Sequence, residues 1–166
     1  MNLAQFQTDL TVAICAAINR SRDRFLGHTL TCLALDIHPY HGFLNLCMRT
    51  SDDDADVPFI HNWKHSDFAE CWGSLNWPEA MPISTAMEMA YVNLRKHCSD
   101  GNDSTLCWPF FIASARALQD KRIRSSLDGL VQSETFSFFI GDPDDNSSRI
   151  NYCQLATALD LARIQI

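Results

Sequence analysis

Two short apolar runs separated by five residues constrain this chain more than anything else in it. Thr29 to Ile37 is rich in Leu and Thr, and from Phe43 to Thr50 the apolar Leu44, Leu46 and Met48 alternate with Asn45, Cys47 and Arg49. Alternation with a period of two puts one set of side chains on each face of a strand. Between the runs lies His38-Pro-Tyr-His-Gly42. Proline fixes φ and withholds a donor, while glycine tolerates a left-handed backbone, so these five residues end both strands and join them as a hairpin.

Elsewhere the apolar period changes to that of a helix. Leu3, Phe6, Leu10, Ala13, Ile14, Ala17 and Ile18 form one stripe, with Asn2 as the cap. Thr85 and Glu88 have the spacing of a capping box, which predicts a helix over Ser84–His97. A third helix is expected over Leu106–Arg122 with Pro109 in its first turn, a third strand over Phe136–Ile140, and a closing helix over Ile150–Ile164. Strands and helices do not alternate as in a doubly wound sheet, and there is no repeat or linker. The expected fold is α+β in one domain over residues 1–166: a small antiparallel sheet, the hairpin plus a later strand, packed with about four helices.

Charge narrows the partners. The net charge is −7, and residues 51–110 hold ten acids against three bases, so the middle of the chain carries the imbalance. Such a surface repels nucleic acid and anionic lipid and attracts cationic partners. The basic run Arg116, Lys121, Arg122 and Arg124 reads as a solvated helix face. With 46% hydrophobic and 20% charged residues the chain is too apolar to stay disordered. Of seven cysteines, with no Cys-x-x-Cys pair, several such as Cys15, Cys32 and Cys47 occupy apolar stretches where a free thiol behaves as a small buried hydrophobe, which fits a reducing cytoplasm. No secretory signal and no membrane-length apolar run is present.

Candidate chemistry is sparse. Asp52-Asp-Asp-Ala-Asp56 begins like a calcium loop, but Val57 and Trp63 stand where the loop needs Gly and Glu. Asp142, Asp144 and Asn146 repeat the spacing and fail at Ser147 and Cys153. His38 and His41 share a turn and His61 and His65 lie four apart, so four imidazoles could surround a metal; a metal-dependent enzyme or sensor is the alternative reading. A reactive Cys-His pair needs a depressed thiol pKa, which apolar faces disfavour. No Gly-x-Ser-x-Gly elbow, phosphate loop or dinucleotide fingerprint occurs, so neither an enzyme nor a cofactor is expected. Trp63, Trp72 and Trp77 are interleaved with charge, and Trp is enriched at binding hot spots. The expected partner surface is Asp52, Asp53, Asp54, Asp56, Trp63, Asp67, Glu70 and Trp72.

The order of elements also resembles a known group. An amphipathic N-terminal helix, the hairpin Leu33-Ala-Leu-Asp-Ile-His-Pro-Tyr-His-Gly-Phe-Leu44, a segment with Trp63 and Trp72, two helices, and Phe136-Ser-Phe-Phe-Ile140 before an Asp-rich turn and helix are similar to a family of small bacterial domains. That family resembles the immunity proteins found beside secreted polymorphic toxins. The resemblance implies a cytoplasmic α+β protein that binds and blocks a cognate toxin, without catalytic residues. The cysteine and histidine content departs from it.

Overall fold

In the computed structural model, residues 2–53, 77–98, 103–141 and 151–164 are described. Helix α1 (Leu3–Ser21) starts where Asn2 Oδ1 accepts the Ala4 amide at 2.8 Å, which satisfies a donor the helix itself leaves orphaned. Its buried side is Phe6, Leu10, Ala13, Ile14, Ala17 and Ile18, as the apolar stripe requires. Trp77 is fully buried, and its indole Nε1 donates to the Ala13 carbonyl at 3.1 Å, so this Trp belongs to the core.

The hairpin forms as β1 (Leu30–His38) and β2 (Phe43–Thr50), joined by a tight turn at Pro39–His41. Leu33, Leu35 and Ile37 stand opposite Met48, Leu46 and Leu44, and all six are fully buried in the main core. Gly42 ends the turn at φ 57°, and a Cβ there would lie 3.1 Å from Glu88 Cβ and the Ser84 carbonyl. Glycine is needed twice at this point, for its backbone and for the close approach of the next helix.

That helix, α2 (Met81–Lys96), begins a turn before the expected Ser84. Pro82 suits the first turn, where its missing N–H costs nothing, so Thr85 becomes an interior residue whose hydroxyl donates to the Met81 carbonyl. The capping-box spacing is present but unused. The single helix expected over Leu106–Arg122 is two: α3 (Asp103–Leu118) and α4 (Lys121–Ser126). Asp120 breaks it, because its Oδ1 accepts the Arg122 amide at 2.9 Å and restarts the helix. Pro109 lies inside α3 rather than in its first turn, on an exposed side where water can serve the carbonyl it leaves unbonded.

Strand β3 (Gln132–Gly141) completes a sheet of order β2-β1-β3. It runs parallel to β1, with Leu33 opposite Phe138 and Leu35 opposite Ile140, so the sheet is mixed and not antiparallel as expected. Strand β2 already brings the chain back to the Leu30 end of β1, and the helical stretch with α2, α3 and α4 carries it past β1, so that β3 starts at that same end. Leu30 pairs with Gln132 but Cys32 with Ser137, so β3 bulges outward between those pairs. Helix α5 (Tyr152–Ile164) packs on α3 and β3, with Asn151 Oδ1 accepting the Gln154 amide at 3.0 Å. On the second face of the sheet Cys32, Ala34 and Cys47 form a small buried cluster. The architecture is α+β, with five helices among the described residues. No helix among them is long and apolar enough to cross a membrane.

Candidate functional site

The expected acidic surface begins at the open end of the hairpin. Ser51 N donates to the Thr29 carbonyl at 2.8 Å, which extends the hairpin by one bond beyond β2. Asp53 Oδ2 then accepts both the Thr50 amide at 2.7 Å and the Thr50 hydroxyl at 3.1 Å. The same hydroxyl accepts the Asp52 amide at 3.3 Å, so a buried threonine and a carboxylate lock the turn. Asp52 Oδ2 lies 2.7 Å from His28 Nδ1, with about half of its side chain open to solvent. Asp53 thus shapes the loop, while Asp52 faces outward. Asp54, Asp56, Trp63, Asp67, Glu70 and Trp72 lie outside the described residues, and so do His61 and His65.

The other two histidines are at the opposite end. His38 and His41 have ring centroids 6.2 Å apart, and Tyr40 lies between them in sequence and in space. Tyr40 is 4.4 Å from the His41 ring, 5.7 Å from the His38 ring and 6.0 Å from the Tyr91 ring; its hydroxyl is 3.3 Å from His38 Nδ1. Phe43 meets His38 edge to face at 5.3 Å. The imidazoles act here as walls of an aromatic cluster. No group of three His, Cys, Asp or Glu that could hold a metal occurs among the described residues.

The basic run is divided among separate tasks. Arg116 Nε donates to Asp160 at 3.1 Å and ties α3 to α5, while Arg122 pairs with Asp120 at 2.9 Å. Arg124 lies 5.0 Å over the Phe138 ring. Hydrogen bonding from Arg122 holds the Asp120 carboxyl below its ordinary range. The six cysteines among the described residues are free thiols. Burial pushes the Cys32 thiol up to about 11, and burial with Cys32 nearby pushes Cys153 up to about 12. Thiols that keep their protons at neutral pH are poor nucleophiles.

Two features were missed at the level of sequence. Asp36, across from Asn45 in β2 and Gly141 in β3, is the only buried carboxylate among the described residues. Its place within an apolar strand was the available signal. The second is the meeting of the hairpin tip with Arg95 and Lys96 from the last turn of α2, which only the tertiary fold creates. No protein-family model, no curated protein and no solved structure matches this chain.

Proposed function

We propose that this chain is a non-enzymatic binding protein of the immunity type, which binds a cognate bacterial toxin in the cytoplasm and occludes it. The observation that carries this reading is the locked turn at the open end of the hairpin. Asp53 and Thr50 root the acidic segment on the sheet, and Asp52 leaves that root facing solvent. A rooted turn loses less freedom on binding than a loose one, and Asp52 stands on it at the start of the acidic surface. Its carboxylates would speed encounter with a cationic groove, such as the active site of a nucleic-acid-degrading toxin, and Trp63 or Trp72 would slow release by filling a pocket. The resemblance in element order to toxin-neighbouring immunity proteins supports the same assignment.

Isolation of the tagged chain from its native host at low and at moderate salt, followed by mass spectrometry, tests the proposal. The expected result is one stoichiometric partner with a toxin domain whose activity this protein suppresses. A partner whose activity is unaffected, or no partner at either salt, contradicts it.

A further inference from the structure

The hairpin tip and the end of α2 border an open cleft of about 380 Å³ lined by Tyr40, His41, Tyr91, Val92, Arg95 and Lys96. The size lies within the range of small-molecule sites. Residues 91, 92, 95 and 96 share one side of α2 because three- and four-residue steps return to the same helical face. Gly42 brings the tip against α2 and so forms the opposite wall.

The lining combines two chemistries. The Tyr40 and His41 rings meet at 54°, and the Tyr40 and Tyr91 rings meet at the same angle, which gives an aromatic wall. Arg95 and Lys96 add two cations, in a chain whose net charge is −7. Glu88, a turn earlier on α2, packs beside Gly42 and is not part of the lining. Cations in a last turn also offset the negative end of a helix, but that role asks for no aromatic wall beside them. Rings beside cations suit a planar base that carries a phosphate.

We propose that this cleft binds a nucleoside monophosphate, with the base against Tyr40 and His41 and the phosphate on Arg95 and Lys96. A cleft of about 380 Å³ has room for a single nucleotide. The site lies at the other end of the hairpin from Asp52 and does not depend on the toxin-binding reading.

Calorimetric titration of the full chain with adenosine 5′-monophosphate, adenosine and inorganic phosphate tests it. The monophosphate is expected to bind at least about tenfold more tightly than adenosine or phosphate alone. Arg95→Ala combined with Lys96→Ala, both exposed positions, is expected to weaken it by about tenfold or more while the variant keeps the cooperative unfolding of the wild type. Absence of monophosphate binding, affinity no better than that of phosphate, or equal affinity in the folded double variant would each overturn the assignment. Tighter binding of a single-stranded oligonucleotide than of the monophosphate would also overturn it.

Discussion

At its tip the β1–β2 hairpin turns through Pro39, Tyr40, His41 and Gly42 and is held by rings packed against α2; at its open end it is held by Asp53, Thr50 and the Asp52–His28 pair. The two ends are about 25 Å apart along the strands. The tip gathers cations and aromatic rings, the open end carboxylates and hydroxyls. Ring packing buries area and tolerates neighbouring charge. A hydrogen-bonded turn instead depends on individual atoms, so a single substitution undoes it. One hairpin can therefore present two unlike surfaces without either disturbing the other.

The largest expected effect is at the tip. Gly42→Val forces a β-branched residue into a left-handed backbone and into contact with Ser84 and Glu88, and should cost about 3 kcal/mol by denaturant unfolding. An unchanged midpoint would mean that the tip is not held by its contact with α2. At the open end, Asp53→Ala strands the buried Thr50 amide and hydroxyl, at a cost of about 2 kcal/mol. Asp53→Asn keeps one acceptor oxygen and should recover part of the loss. If both variants match wild type, the turn is not locked and the contrast with the tip fails.

A carboxylate outside the hairpin calibrates the open end. Asp120 caps α4, so Asp120→Ala should cost about 1 kcal/mol near neutral pH. Because Arg122 holds its folded pKa below the unfolded value, this stability is fully present above the ordinary carboxylate range and is lost as pH falls through the lowered value. Wild type and variant should therefore converge in acid; a gap that stays constant would exclude the carboxylate as its source. The smallest effect belongs to Asp52→Asn, whose exposed pair with His28 should change stability by no more than about 0.5 kcal/mol. A larger loss would make Asp52 structural, like its neighbour, and remove it from the partner surface.

Periodicity was enough to read α1, the hairpin and the presence of later helices, because each buries a face that leaves a repeating trace. The direction of β3 was not legible. Phe136–Ile140 has the same apolar pattern whether it runs parallel or antiparallel, and only the crossover through three helices decides. The Thr85 and Glu88 spacing misled because Pro82 set an earlier start, and Asp120 hid a cap within an unbroken stretch of helix formers. At the candidate sites, Asp52 was readable as charge. The part Asp53 plays in the turn was not, since the three adjacent acids Asp52, Asp53 and Asp54 look alike in sequence. The histidine spacing suggested ligands; His38 and His41 flank Tyr40 as rings, and His61 and His65 lie outside the described residues.

In the proposed function the open end meets the partner through charge. This is tested most directly by capture from the native host at low salt, with wild type beside a chain carrying Asp52→Asn, Asp54→Asn and Asp56→Asn. Asp53 is kept because it holds the turn. A stoichiometric toxin partner is expected on the wild type and its loss from the variant, with both chains equally stable. Equal recovery of the partner on both would contradict it.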